Sequence, residues 1–295
     1  MLWFLFAISA SLLWSISNLI DGDLVLNRVK NPLVIMTVTG LFSILPFLYE
    51  CLTRNFLFPS PSISLFGIFL GFLSLIAFYP YFRALESAHP ASAVLLWNLS
   101  PVLIAVTAFV FLGERLLPMQ YLAILLIVCS AMLVSGGSQT QRVKGRAGRS
   151  AVTWMLLASL FTASEALLSK WLFGRASSGT VIGLISLGSF SLSLLLLCVP
   201  SIRRSLRALL PRHGGIFTLN ETLNNIAFVC SAMAVSLGPV SLVKAIEGTQ
   251  AFFILACSWI AARLFSRKQF HVARPPKAGV MIVACGLALV GLMLM

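Results

Sequence analysis

The chain has 295 residues, of which 59% are apolar and 10% are charged, and it carries 21 Lys and Arg against 8 Asp and Glu. A soluble domain averages about 45–50% apolar and about 25% charged residues. The apolar residues here also form runs that are longer than a soluble helix can bury. These features exclude an ordinary soluble enzyme, a disordered chain and a disulfide-stabilised scaffold. They predict an all-α polytopic membrane protein.

Ten apolar runs follow one another along the chain, separated by charges, prolines and glycines. A membrane-crossing helix takes roughly 20 residues, so the sequence predicts ten transmembrane helices. The runs lie near residues 2–20, 33–51, 62–86, 91–112, 119–135, 151–173, 179–199, 215–237, 240–262 and 278–295. The first run has no Lys or Arg before Arg28, and we expect it to be a retained helix rather than a cleaved signal peptide.

The middle of the chain has the composition of a linker. Residues 137–150 are polar and basic, and they separate a first half, residues 1–136, from a second half, residues 151–295. The halves resemble each other weakly at an offset of 149 residues. Because each half has five predicted helices, the second half enters the membrane from the opposite side. The sequence therefore predicts two inverted five-helix repeats, which are typical of secondary transporters with a site at mid-membrane.

Short motifs at helix joints and at packing positions within the predicted helices carry a resemblance to a known family. They are Leu13-Trp14-Ser15, the stretch from Ala84 to Ser92, Pro101, the LGERL stretch from Leu112 to Leu116, Val240-Ser241, and Glu247 to Gln250. With ten helices in two halves, the chain resembles the EamA family of the drug/metabolite transporter superfamily over essentially its whole length. The resemblance implies a transporter fold and leaves the substrate open. The second half departs from the pattern, because Arg263 replaces the Glu of a second Gly-Glu-Arg and Gln250 stands opposite Pro101.

Basic residues are concentrated on one side of the predicted topology. Sixteen of the 21 Lys and Arg lie in the odd-numbered connections between helices. If these connections are cytoplasmic, both termini face outside. The EamA resemblance implies cytoplasmic termini instead, so the two indications conflict. Because the positive charge lies between apolar runs, we expect the lipid bilayer as a partner and no nucleic acid.

Three acidic residues, Glu165, Glu221 and Glu247, lie inside predicted helices. A charge at the bilayer centre costs on the order of 3 kcal/mol, so each is expected to face a partner or a cavity. Loss of water favours the protonated form of a carboxyl group, which makes Glu165 and Glu247 candidates for proton coupling. The alternative for Glu165 is a carboxyl group that neighbouring Ser and Thr hydroxyls cap.

The ninth predicted helix carries the most informative polar stretch. Lys244, Glu247 and Gln250 share one helix face. Lys244 and Glu247 are either a buried structural ion pair or a binding site, in which Glu247 takes an amine or a proton and Lys244 takes an anionic group. The repeat places Glu247 opposite Asn98, next to Trp97, so both residues join the predicted substrate site.

The eighth predicted helix carries Glu221, Asn224 and Asn225 on one side. A face this polar cannot meet lipid. The three residues either pack against another helix through amide hydrogen bonds or line a wet cavity, and we assign them to the substrate site.

Aromatic residues and prolines complete the candidates. Trp14, Trp97, Tyr79 and Tyr81 offer aromatic faces to an organic cation or a flat substrate, or they anchor the membrane interface. Pro80 and Pro101 are candidate hinges or static kinks.

The sequence lacks a phosphate-binding loop, a zinc-protease helix and an acid-rich metal motif. We therefore expect no enzyme activity, no cofactor and no metal. The leading hypothesis is a secondary transporter that exports small organic metabolites, such as amino acids or related compounds, by alternating access. We expect it to be a multi-pass protein of a bacterial inner membrane that works as a monomer or homodimer. Proton coupling and facilitated diffusion both stay open. The alternatives are an intramembrane enzyme or flippase acting on a lipid-linked substrate, and a transporter-like sensor without flux.

Overall fold

The structure is a computed structural model that describes residues 2–29, 31–54, 56–87, 100–137, 146–264 and 277–295. Within these residues there are twelve α-helices, one short π-helical turn (Leu24–Arg28) and no strand. The all-α class predicted from the sequence is confirmed.

The helices cover the predicted apolar runs, but α9 begins at Pro200, well before residue 215 where the eighth run was predicted to begin. The first half contains α1 (Leu2–Asp23), α2 (Pro32–Phe42), α3 (Ile44–Arg54), α4 (Pro61–Ser87), α5 (Ser100–Leu112) and α6 (Pro118–Gly137). The second half contains α7 (Arg146–Phe173), α8 (Ser178–Leu197), α9 (Pro200–Leu237), α10 (Val240–Glu247), α11 (Gln250–Leu264) and α12 (Ala278–Met293).

Six helical segments of the described chain are long and apolar enough to cross a membrane. They are Leu2–Arg28, Pro32–Thr53, Pro61–Glu86, Ser150–Phe173, Ser178–Leu197 and Val240–Ile260. Three shorter apolar helices, Ser100–Leu112, Pro118–Val134 and Ala278–Met293, accompany them. The protein is therefore a multi-pass membrane protein, and the number of ten crossings stays a prediction.

Two predicted helices are each divided in the structure. A single turn at Ser43 separates α2 from α3, so the second apolar run is a bent span. Gly248 and Thr249 separate α10 from α11 in the middle of the ninth run. Helix breaks at membrane depth need other groups to satisfy the freed backbone, which makes the second break a structural feature of interest.

The outer surface of the bundle is apolar. Leu52, Leu57 and Met293 are each more than 80% exposed, while serines such as Ser11 and Ser15 of α1 are fully buried. This distribution suits a protein surrounded by lipid. Cys129 and Cys198 are exposed and the other four cysteines are partly exposed, so none of the six is fully buried.

The helix pairs that pack together in the bundle correspond to one another when the sequence is shifted by the repeat offset. α1 packs along α9, and α4 packs along α7. An offset of 149 residues carries α1 onto α7 and α4 onto α9, so the first pair maps onto the second. The same offset carries α4 onto α9 and α2 onto α8. The contact of α4 with α8 therefore corresponds to the contact of α9 with α2.

Both ends of the described chain lie at the same end of the bundle. Trp3 and Met295 pack on one apolar cluster with Val240 and Val243. We call this the terminal end, and we call the opposite end, where residues 24–32 connect α1 to α2, the linker end.

Close helix contact depends on glycine at the crossing of α4 and α8. A Cβ atom on Gly71 would overlap the carbonyl oxygen of Ile185 and lie 2.7 Å from the Cα of Gly188. A Cβ atom on Gly67 would lie 2.7 Å from that of Leu184. The glycines thus allow the two backbones to approach closely.

Candidate functional site

A cavity of about 170 Å³ lies inside the bundle. Its walls come from α1, α2, α4, α5, α7, α8, α9 and α10 and from the start of α11. Phe173 and Val235 line it near the terminal end, where they belong to the apolar cluster around Val240. Phe78 and Met155 line it toward the linker end and belong to a second apolar cluster. Apolar clusters therefore bound the cavity toward both ends of the bundle.

Lys244, Glu247 and Ser231 form a closed triangle of hydrogen bonds on the cavity wall. The Lys244 ammonium donates to Glu247 Oε2 at 2.8 Å and to Ser231 Oγ at 3.1 Å, and the Ser231 hydroxyl donates to Glu247 Oε1 at 2.5 Å. The Lys244 and Glu247 side chains are each 10% exposed. A charge pair with so little exposure to water is stable only while both partners are present.

The break between α10 and α11 positions this triangle. Glu247 is the last residue of α10, and the backbone N–H of Gly248 donates to the carbonyls of Lys244 and Ala245. Two serines of α1 donate to carbonyls on either side of the break, Ser11 to Ile246 at 3.4 Å and Ser15 to Gln250 at 3.2 Å. Each serine hydroxyl is closer to a carbonyl of its own helix, Ser11 to Ala7 at 2.9 Å and Ser15 to Ser11 at 2.6 Å. The Ile246 carbonyl also accepts from the Thr249 N–H at 2.9 Å, so α1 adds secondary contacts to a break that keeps local hydrogen bonds.

Trp14 of α1 joins the triangle to the polar face of α9. Its ring centroid lies 5.8 Å from the Lys244 ammonium nitrogen, within the range of a cation–π interaction. Its indole N–H donates to Asn224 Oδ1 at 2.9 Å. The orientation of the ring is therefore fixed by contacts on two helices.

Glu165 of α7 faces the same cavity without a hydrogen bond from any described residue. The neighbouring hydroxyls of Thr162 and Ser164 donate instead to carbonyls of their own helix. The charge of Glu165 interacts favourably with Lys244 and unfavourably with Glu247. Capping of Glu165 by its neighbours, one expectation from the sequence, is therefore wrong.

A second polar cluster lies toward the linker end and joins α1 to α9. The Asn220 amide donates to Asp21 Oδ1 at 2.8 Å and to Glu221 Oε1 at 3.4 Å, and its oxygen accepts from the Ser17 hydroxyl at 2.9 Å. Thr39 donates to Glu221 Oε1 at 3.0 Å. Both carboxyl groups are thus held by neutral donors.

The two carboxyl groups occupy different positions relative to the cavity. Asp21 lines it and is 4% exposed. The sequence suggested that Asp21 follows the first helix, but α1 continues to Asp23. Glu221 is 0% exposed and does not line the cavity. Its assignment to the substrate-contacting surface therefore needs correction, because Asn224 and Asn225 take that place while Glu221 lies behind them.

Tyr81 rather than Tyr79 reaches the cavity. The Tyr81 hydroxyl donates to Asn18 Oδ1 at 2.9 Å and to Asp21 Oδ2 at 3.5 Å. Tyr79 packs edge-on against Trp154 with ring centroids 5.9 Å apart and does not line the cavity. The two residues are two positions apart in α4, so their side chains lie on nearly opposite sides of the helix.

Comparison with known proteins finds one similar family and a solved structure with the same fold. Residues 1–136 match the model of the EamA-like transporter family. The first half of the chain is therefore similar to that family. No curated protein matches the chain. A solved crystal structure covers 99% of this chain and 97% of its own, with a TM-score of 0.71 and 20% sequence identity. The whole chain, including the second half, therefore has the fold of that structure.

The remaining candidates of this EamA-like protein fall into three groups. Gln250 lines the cavity at the start of α11, and Pro101 lines it in the first described turn of α5. Pro80 is buried inside α4 and does not line the cavity. Trp97 and Asn98 lie outside the described residues.

Sequence reasoning missed Asp21, Asn18 and Ser231. The signal for the first two was helical spacing from Trp14, because residues 14, 18 and 21 lie on one helix face. Ser231 lies seven residues after Asn224 and shares its face in the same way.

The described cavity wall carries more acid than base. Asp21, Glu165 and Glu247 line it, and Lys244 is the one Lys or Arg among its described lining residues. Such a wall can bind an anionic group at Lys244 and an ammonium group at the carboxylates. No cluster of His, Cys, Asp or Glu within the described residues could hold a metal ion.

Proposed function

We propose that this EamA-like protein is a secondary transporter that moves a small organic metabolite, an amino acid or a related compound, by alternating access. The observation that carries the proposal is the Lys244, Ser231 and Glu247 triangle, which lies on a cavity wall with Glu165 facing the same space. Paired opposite charges in a dry cavity are suited to a substrate that carries both charges.

Two inverted five-helix halves, residues 1–136 and 151–295 joined by residues 137–150, are the proposed moving parts. The exchange of helix pairs under the offset of 149 residues supports this division, because α1 with α9 maps onto α7 with α4. The cavity also draws residues from both halves. A site between inverted repeats is the usual location in secondary transporters.

Substrate binding would compete with the Lys244 and Glu247 contact. A carboxylate of the substrate attracts Lys244, and an ammonium group attracts Glu247 or Glu165. Each new contact replaces part of an existing one, so the triangle holds the empty site together and opens when substrate arrives. A ligand changes the balance between two conformations only through such differential contacts.

Proton coupling is part of the proposal, with Glu165 and Glu247 as the carriers. Glu165 lies at membrane depth on the cavity wall and accepts no hydrogen bond from a described residue. Protonation of Glu165 would remove one of the two negative charges near Lys244. We propose export across a bacterial inner membrane as the direction and location, with a monomer or homodimer as the working unit.

Ligand binding to purified protein tests the site. Pools of amino acids, organic amines, sugar phosphates and lipid-linked sugars are added to wild type and to Lys244→Met, and the melting temperature is recorded in detergent. The proposal expects a pool containing zwitterions to raise the melting temperature of wild type by several degrees and to have no effect on Lys244→Met. Stabilisation by lipid-linked sugars alone would contradict it and favour an intramembrane enzyme or flippase.

A further inference from the structure

The joint between α9 and α10, at Gly238 and Pro239, is held at the terminal end by two charged side chains outside the proposed substrate site. Lys170 reaches it from α7, and Glu114 reaches it from the turn after α5. We propose that Lys170 is a switch residue, which holds the joint closed in this structure and pairs with Glu114 when the joint opens. The proposal rests on the proposed alternating access and adds two residues to it.

Lys170 caps the end of α9. Its ammonium group donates to the carbonyl oxygens of Val235 at 2.8 Å and Gly238 at 2.7 Å. The last carbonyls of a helix have no partner within the helix, and a cation there also interacts favourably with the helix dipole. Lys170 thus ties the end of α9 to α7.

Glu114 caps the start of α10. Gly113 has a φ of 64°, a left-handed conformation that suits glycine, and it turns the chain after α5. Glu114 Oε2 then accepts hydrogen bonds from the Ser241 hydroxyl at 2.7 Å and from the Ser241 backbone N–H at 3.4 Å. Pro239 precedes α10 and supplies no side-chain cap, so a residue of the first half takes that role for a helix of the second half.

One oxygen of this carboxylate is left over. Glu114 Oε1 is buried and has no hydrogen-bond partner among the described residues. Lys170 lies close enough to interact with Glu114 electrostatically, yet its hydrogen bonds go to the carbonyls. A buried carboxylate oxygen without a donor is costly. A second arrangement, in which Lys170 leaves the carbonyls and donates to Glu114 Oε1, would give that oxygen the donor it lacks in this structure.

The joint is coupled to the cavity through adjacent residues. Ser169 precedes Lys170 in α7 and lines the cavity, and Val235 lines it as well. Val235 also belongs to the apolar cluster that bounds the cavity at the terminal end. Release of the Val235 carbonyl would thus loosen the wall that separates the cavity from this membrane face.

The repeat places reversed charges at the corresponding positions of the sequence. At an offset of 149 residues, Asp21 corresponds to Lys170, and Arg263 corresponds to Glu114. An acid therefore stands where the other half has a base, and a base where it has an acid.

Spin-label distance measurements test the switch. Labels at Leu57→Cys and Leu237→Cys, both exposed near the terminal end, are introduced into a full-length variant whose native cysteines are replaced. Ser241→Ala removes the hydroxyl that holds Glu114 in this structure, so we expect the ratio of long to short distances to rise about tenfold, corresponding to about 1.4 kcal/mol. Adding Glu114→Gln removes the negative partner of Lys170 and returns the ratio to that of wild type.

The matched control is Ser236→Ala. The Ser236 hydroxyl donates to the carbonyl of Met233 in its own helix at 2.8 Å, so its loss leaves the joint and the distances unchanged. If Glu114 and Lys170 are only static caps, Ser241→Ala lowers the melting temperature without a second distance population, which overturns the proposal. The distances are measured without substrate, so a shift in a protein that transports nothing would reject the proposed function and keep the switch.

Discussion

Asn220 donates a hydrogen bond of 2.8 Å to Asp21 across the interface between α9 and α1. The same amide group also donates to Glu221 at 3.4 Å. One neutral side chain therefore serves two buried carboxyl groups, and it links the two helices that form one of the longest contacts of the bundle.

Removal of the Asn220 amide tests how much it contributes to the stability of the protein. Asn220→Ala leaves Asp21 with only the 3.5 Å contact from Tyr81 among the hydrogen bonds described for it. Loss of a partner from a buried polar group costs about 1–3 kcal/mol, and more when the group is charged. We expect a clear fall in the melting temperature of the purified protein.

Asn225→Ala is the control for that substitution. The Asn225 amide donates to the backbone carbonyl of Glu221 in its own helix at 2.7 Å, so its loss leaves both carboxyl groups with their partners. An equal fall in melting temperature for the two variants would contradict the role given to Asn220.

Substitutions in the Lys244 and Glu247 pair distinguish a contribution to stability from a contribution to transport. Glu247→Gln leaves Lys244 buried without its carboxylate, and loss of one partner of a buried pair costs about 3–5 kcal/mol. The double variant Lys244→Met with Glu247→Leu removes both charges, so we expect it to regain most of the lost stability. Melting temperature and solute flux are measured together for all three proteins.

The proposed site requires that flux stays absent in the double variant although the fold is restored. If the double variant is both stable and active, the pair is a structural contact and the substrate binds elsewhere. Stability and activity thus give separate answers on the same three proteins.

The crossing of α4 and α8 has no room for a side chain at Gly71. Gly71→Ala places a Cβ atom against the backbone of Ile185 and Gly188, and overpacking of this kind costs about 1–3 kcal/mol. We expect lower yield of folded protein and a lower melting temperature. Gly286→Ala in α12 is the matched control, because nothing lies within 4 Å of its Cβ position, and it should melt at the wild-type temperature or above.

Topology follows from the charge distribution and is open to a direct test. Trp3 and Met295 lie at the same end of the bundle, and the exposed Arg203, Arg204 and Arg207 lie at the start of α9 near the linker end. Basic residues favour the cytoplasmic side. We expect a C-terminal alkaline phosphatase fusion to be active and a C-terminal fluorescent protein to be dark, with the reverse for fusions within residues 137–150. Bright C-terminal fluorescence would invert the orientation.

Much of the helix layout could be predicted from the sequence, because long apolar runs bounded by charges have few alternatives in a membrane. The i, i+3 spacing of Lys244 and Glu247 likewise gave their contact. The break after Glu247 could not be predicted in the same way, and the serines that contact it, Ser11 and Ser15, belong to a helix more than two hundred residues away in sequence. Neighbours of this kind are set by packing rather than by local pattern.

The residues that line the cavity also depend on contacts between distant helices, which the sequence does not predict. Trp14 and Asn224 were each identifiable as candidates, yet their hydrogen bond joins residues that are 210 positions apart. Tyr79 and Tyr81 were indistinguishable in sequence, and the rotation of α4 decides which one reaches Asn18. Glu221 was identifiable as an unusual charge, but only the packing of Thr39 against it places it behind the cavity wall.

The central claim is proton-coupled transport through the cavity that Glu165, Lys244 and Glu247 line, and proteoliposomes with a trapped pH-sensitive dye test it most directly. Amino acids, organic amines and sugar phosphates are added in turn to wild type, Glu165→Gln and the control Glu86→Gln, whose carboxylate pairs with Arg83 and does not line the cavity. The account predicts solute-specific proton movement in wild type and Glu86→Gln, and its loss in Glu165→Gln with downhill solute flux retained. Equal proton movement in wild type and Glu165→Gln would contradict the assignment of Glu165, and absence of any solute flux through folded protein would contradict transport itself.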